Sequence, residues 1–173
     1  MRERVFAGLV AAAIISATGC QIPESGVQDW RGLLTTDVVG VRTFIPSEPW
    51  RSFDAEGDPD PEGLVVAVYL ESAAKAKGVF GDGDFQFRLY RVTHKPGGKR
   101  ESEMVHEWTF NPEQARPWQL KQPTAYGYGY QFPLDWGKLD IYGQDVELQA
   151  RFVTRDGKML VGRRHNLRVP VRR

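Results

Sequence analysis

Cysteine is almost missing from this chain: Cys20 stands alone among 173 residues. One thiol excludes an internal disulfide and any metal site built from several thiolates. Histidine is nearly as scarce, with only His94, His106 and His165. They fall on separate segments, and no H-E-x-x-H or H-x-H spacing joins them. Net charge is lacking too. The chain carries 23 Lys and Arg against 22 Asp and Glu, so no global field draws in nucleic acid. The basic residues Arg163, Arg164, Arg168, Arg172 and Arg173 read as a decorated strand face and tail. No apolar run reaches the roughly 20 residues of a spanning helix. A G-x-S-x-G elbow is absent, and Ser47, Ser52, Ser72 and Ser102 lie in or near loops with no histidine set to activate them. No Gly-rich loop leads from a strand into a helix, and the acidic Gly81-Asp82-Gly83-Asp84 would repel phosphate. These absences predict a protein that is not an enzyme. A hydrolase with an unrecognised site stands as an alternative, because facing carboxylates cannot be paired from sequence.

The N-terminus is the clearest feature. Arg2 and Arg4 form a short positive region, and Val5 to Ile15 is apolar apart from Gly8. Ser16-Ala17-Thr18-Gly19 then supplies small residues before Cys20. This is the layout of an export signal. The segment Ala17-Thr18-Gly19-Cys20 resembles the lipobox of bacterial lipoproteins, with Ala17 where that family most often has Leu. The resemblance covers only residues 1–20. It implies cleavage between Gly19 and Cys20 by signal peptidase II, with Cys20 thioether-linked to diacylglycerol. It also implies palmitate-type acyl chains that hold the protein on membrane lipid, because two or three chains bind firmly where one does not. Gln21 is not the Asp that favours inner-membrane retention in enteric bacteria. The expected location is therefore the cell envelope, with the outer membrane favoured. Residues 20–35 are expected to form the lipidated tether, where Val27, Trp30 and Leu34 at helical spacing predict a short docked helix.

Residues 36–173 read as β structure punctuated by Gly and Pro. Strands are predicted at Val38–Ile45, Leu64–Leu70, Phe85–Leu89, Met104–Phe110, Tyr128–Trp136 and Val146–Phe152. A last, bulged strand runs from Met159–Val161 to Leu167–Val171. Val146, Leu148, Ala150 and Phe152 alternate with Glu147, Gln149 and Arg151, the period of a half-buried strand. Met104, His106, Trp108 and Phe110 are expected to share one face. Asp156-Gly157 predicts a two-residue hairpin turn. Seven short strands predict an all-β fold, an immunoglobulin-like antiparallel sandwich. Tyr142 is a candidate tyrosine corner.

Two sets of residues are candidates for a site. Asp54, Asp58 and Asp60 lie in a Pro-rich acidic connection that matches the opening half of a calcium loop. The loop's twelfth position is Tyr69 rather than Glu, so Asp82 and Asp84 from a second acidic turn would have to help clamp a Ca²⁺. Asp, Gly and Pro are also what ordinary surface turns require. The second set is aromatic: Trp50, Trp118, Tyr126 and Tyr128 lie in connections or at strand ends. Rigid rings with polar tips anchor protein interfaces, and flat rings stack on sugars. The expected function is a non-catalytic binding or structural module that contacts another envelope protein or a cell-wall glycan by a sheet edge or end loops. A carbohydrate-binding module using the exposed Trp and Tyr side chains is the alternative.

Overall fold

A computed structural model describes residues 33–53 and 60–172. The signal segment, Cys20, Val27, Trp30, Asp54 and Asp58 lie outside the described residues. The chain forms β1 (Leu34–Thr35), β2 (Val38–Phe44), β3 (Trp50–Arg51), β4 (Gly63–Ser72), β5 (Phe80–Gly81), β6 (Gly83–His94) and β7 (Arg100–Phe110). A short α1 (Pro112–Ala115) and a 3₁₀ turn at Arg116–Trp118 follow. The chain ends with β8 (Tyr130–Asp135), β9 (Asp145–Thr154) and β10 (Met159–Arg168).

The strands make an antiparallel sandwich. One sheet runs β10-β9-β6-β7, and β2-β4-β8 forms the other. This is an immunoglobulin-like order, with the fourth long strand, β7, on the sheet that holds β6, β9 and β10. Every predicted strand is present. Leu34, expected in a helix, instead pairs in β1 with Phe80 of β5, so the folded domain begins before residue 36.

Strand alternation builds the core. Leu64, Val66, Val68 and Leu70 of β4 are fully buried, as are Phe85, Phe87 and Leu89 of β6. Phe85 sits at the centre, with ring centroids 4.6 Å from Tyr130, 4.9 Å from Phe132 and 5.0 Å from Phe152. Each such ring contributes about 1.5–3 kcal/mol by leaving water. Tyr130 keeps a polar tip in this setting: the Gly81 N–H donates to its hydroxyl at 3.3 Å. Two links close the sides of the sandwich. Trp108 Nε1 donates to the Asp135 carbonyl at 2.6 Å, and Thr43 Oγ1 bonds His165 Nε2 at 2.6 Å.

Three local expectations need correcting. Leu89 faces His106 but Tyr90 faces Met104, so Val105 is an extra residue in β7. This bulge inverts the side-chain order. Met104 therefore points to solvent, half exposed, while Val105 packs against the core. The Asp156-Gly157 turn is a three-residue loop, with Gly157 N–H donating to Thr154 O and Thr154 N–H to Lys158 O. Only Gly157 has positive φ, at 86°, which marks a type I turn closed by a left-handed glycine. Tyr142 does not form a hydroxyl-bonded corner among the described residues; the Arg172 guanidinium covers its ring at 4.5 Å.

Candidate binding face

The outer face of the β2-β4-β8 sheet is where exposed aromatic groups and concave surface coincide. Residues 65, 67, 69 and 71 of β4 point outward because their even-numbered neighbours fill the core. Register sets Phe44 opposite Ala67 and Arg42 opposite Tyr69, with Gln131 and Pro133 of β8 on the far side. The long connection from β7 to β8 runs over this face and carries Trp118 and Tyr126.

Close backbone contact holds that connection down. Gly78 N–H donates to Tyr126 O at 2.7 Å, and Tyr128 N–H donates to Gly78 O at 3.0 Å. Gly127 has φ +94°, and a Cβ there would stand 2.4 Å from Gly78 N. Thr124 and Gly127 exchange backbone hydrogen bonds of 2.9 Å, which closes a small loop around Tyr126. The Tyr126 ring lies 4.6 Å from Phe44 and 5.6 Å from Tyr69, yet half of the residue stays in solvent. Thr124 Oγ1 donates to the Tyr69 hydroxyl at 3.1 Å.

Tyr126 lines a cavity of about 360 Å³ between the loop after β4 and the end of the sheet. Arg42 and Glu71 form an ion pair on its wall, and Lys75 and Lys77 stand at its rim. Neither lysine has an ion-pair or hydrogen-bond partner among the described residues. Gly40 leaves room for the Glu71 carboxylate, because a Cβ there would meet Glu71 Oε2 at 2.5 Å. Three cations and one carboxylate leave the cavity with a positive excess. A second cavity of about 330 Å³ lies further along the same face, formed by Trp118, Leu120, Val65 and Pro133. It is mostly apolar, and Trp118 is 38% exposed.

The four aromatic candidates are therefore divided. Tyr126 and Trp118 each line a cavity on this face. Tyr128 is exposed beside Phe80, 5.1 Å between centroids, and lines neither cavity. Trp50 packs edge-on against Trp136 at 6.0 Å and is half-buried, so it belongs to the core margin. No motif or spacing marks Arg42, Glu71, Lys75 and Lys77 in advance. The first two lie 29 positions apart and meet only through the β2–β4 register. The Lys-Ala-Lys rim reads in sequence as an ordinary exposed connection.

Among the described residues, two of the candidate carboxylates are engaged in ion pairs. Asp82 pairs with Arg155 at 3.1 Å, and Asp60 lies buried 3.7 Å from Arg172. Asp84 faces Val153 in the β6–β9 ladder. Among the described residues no group of three His, Cys, Asp or Glu is close enough to hold a metal ion. The histidines remain apart: His94 is exposed at the end of β6, His106 packs on Trp108 at 4.5 Å, and His165 bonds Thr43. Burial holds the His165 pKa below its ordinary value, and the nearby Arg163 charge lowers it further.

The outer face of the other sheet holds a second polar cluster that the sequence did not announce. Glu147 was expected to face water but is 4% exposed. Arg164 reaches it at 3.0 Å, Arg100 binds its other oxygen, and the Ser102 hydroxyl donates to it at 3.3 Å. Arg164 also lies 4.5 Å over the Tyr90 ring. The basic C-terminal run is thus largely neutralised by partners, since Arg168 also pairs with Asp145 at 3.0 Å. No helix among the described residues is long and apolar enough to cross a membrane. No protein-family model and no curated protein sequence matches the chain.

Proposed function

We propose that this protein is a lipid-anchored lipoprotein of the bacterial cell envelope, with the outer membrane favoured. Its sandwich acts as a non-catalytic binding module through the outer face of the β2-β4-β8 sheet. One observation carries the binding reading: Tyr126 and Trp118 are both exposed on that face, each beside a cavity. Rings already fixed by their neighbours lose little freedom on contact, which favours recognition. The anchoring reading rests on the small residues before Cys20 and the apolar run ahead of them. Acyl chains on Cys20 would contribute about 0.8 kcal/mol per buried methylene. Residues 21–32 would then link the anchor to the domain, with a reach of at most about 43 Å.

Each half has its own test. Labelled palmitate should enter the wild-type protein in bacterial cells and not Cys20→Ser, and globomycin should cause the uncleaved form to accumulate. Labelling of Cys20→Ser, or processing that ignores globomycin, refutes the anchor. For the face, a photo-crosslinking residue at Trp118 or Tyr126 should capture envelope material. The same probe at Val161, on the opposite sheet, should not. Equal capture at all three positions refutes the assignment of the face.

A further inference from the structure

We propose that the cavity beside Tyr126 is a subsite for an acidic saccharide, one whose ring carries a carboxylate or an ester anion. This rests on the reading of the β2-β4-β8 face as the binding surface and goes beyond it by naming the ligand chemistry.

Four features of the cavity select this class. The first is the platform. Tyr126 is half exposed, and its ring is fixed by Phe44 at 4.6 Å and Tyr69 at 5.6 Å. A sugar presents C–H groups on one face that stack on such a ring. The second is the Arg42–Glu71 pair on the wall. It offers guanidinium donors and carboxylate acceptors side by side, which suits adjacent sugar hydroxyls, since each hydroxyl both donates and accepts. The third is charge. Lys75 and Lys77 add two cations that Glu71 does not neutralise, so a neutral sugar would leave them unused and an acidic one would pair with them. The fourth is size and preformation. A volume of about 360 Å³ lies within the range of small-ligand sites, and the Gly78–Gly127 contact fixes the wall before a ligand arrives.

Other anionic partners fit less well. A nucleic acid strand would use a charged groove with several stacking rings. Here there is a single exposed ring beside a half-open cavity, on a chain whose charges nearly balance. A membrane headgroup layer is flat, whereas Tyr126 and the Arg42–Glu71 pair line a concavity.

The test is a titration of the full-length protein in neutral detergent, read by calorimetry and by amide chemical shifts. The probes are a galacturonic acid trisaccharide, its neutral galactose counterpart, a sulfated galactose trisaccharide, inorganic phosphate and phosphatidylglycerol vesicles. The expected result is binding of one or both acidic trisaccharides at least tenfold tighter than the neutral one. Shifts should centre on Gly78, Tyr126 and Gly127, and added salt should weaken binding. Tyr126→Ala and the double variant Lys75→Gln/Lys77→Gln should each lower affinity at least tenfold while keeping the wild-type melting temperature within a few degrees. Preference for the carboxylated or the sulfated probe tells which anion is read. Equal binding of the neutral trisaccharide at these amides overturns the acidic assignment and leaves the binding face standing. Saccharide shifts confined to Trp118 and Leu120 overturn the cavity and also leave the face standing. Binding of phosphate or vesicles alone, or of no probe, overturns the proposal, and crosslinking at Trp118 and Tyr126 then judges the face independently.

Discussion

Replacing Tyr130 by Phe removes one oxygen from the centre of the sandwich and nothing else. The ring is packed on Phe85, Phe132 and Phe80, and all of those contacts survive the change. What is lost is the hydroxyl that meets the Gln119 side chain and accepts from the Gly81 N–H, the latter on a residue that is itself buried. Leaving a buried donor unsatisfied costs about 1–3 kcal/mol. At about 2 kcal/mol, and about 2–4 °C per kcal/mol for a chain of this length, the melting temperature should fall by about 4–8 °C at pH 7. The hydroxyl also predicts how this difference changes with pH. Burial pushes the Tyr130 phenol well above its ordinary value near 10, and hydrogen bonds with Gly81 and Gln119 only partly oppose that. Above pH 10 the unfolded chain therefore releases this proton while the folded protein keeps it. Because the folded state binds more protons there, stability falls as pH rises, by up to about 1.4 kcal/mol per pH unit. The variant lacks this loss. A 2 kcal/mol advantage should thus vanish near pH 11.5, where the two stability curves meet. Urea unfolding followed by tryptophan fluorescence at half-unit steps from pH 7 to 12 measures both curves. Curves that stay parallel from pH 9 to 12, or a variant as stable as wild type at pH 7, would refute the reasoning.

Three further outcomes are expected. His165 has a lowered pKa and stays neutral in the fold while the unfolded chain takes up a proton near pH 6.5; its stabilising effect is present above that pH and is lost as pH falls through the folded value, so His165→Gln should flatten the stability profile between pH 5 and 7 in chemical unfolding. Glu147→Ala should cost about 1–3 kcal/mol in the same assay. That is less than a fully buried pair would lose, because Arg100 and Arg164 are 44% and 43% exposed and can rehydrate; Arg164→Ala added to it should cost less than its single effect. Gly127→Ala forces a left-handed backbone worth about 1–2 kcal/mol and drives a methyl into Gly78, so hydrogen exchange at the Gly78 amide should speed up markedly while the Phe85 amide stays protected.

The fold was legible wherever alternation was strong. Phe85, Phe87 and Leu89 interleaved with Gln86 and Arg88 mark β6 and its inner face without help from tertiary structure. The run from Leu64 to Leu70 gave a central strand because both of its faces are covered, one by the core and the other in part by Phe44 and the Tyr126 loop. Alternation alone puts Met104 on the wrong face because a bulge is a property of the pair: only the facing β6 strand reveals that Val105 is extra. Trp50 and Tyr128 could not be sorted from Trp118 and Tyr126, since a loop aromatic is exposed or covered according to what packs on it. The charged half of the cavity was hidden for a related reason. Arg42, Glu71 and the two lysines come from three segments that only the β2–β4 ladder and the fold of the loop after β4 bring together.

The rims of the two sheets bear on how such molecules behave in a crowd. The edge strand formed by β2 and β3 is interrupted by Pro46 and Pro49, of which Pro49 offers its carbonyl inward to Val65. β8 carries Pro133, and Leu120 donates to Gly129 alongside its start. β7 is bent by its bulge, and β10 leans on β2 where a Cβ at Gly162 would come within 3.4 Å of Val41 O. Among the described residues each rim thus lacks the straight ladder of free amides that a neighbouring copy needs to extend the sheet. Concentrated samples should therefore remain separate molecules rather than ribbons or fibrils, and strand-by-strand growth would have to break one of these stops first.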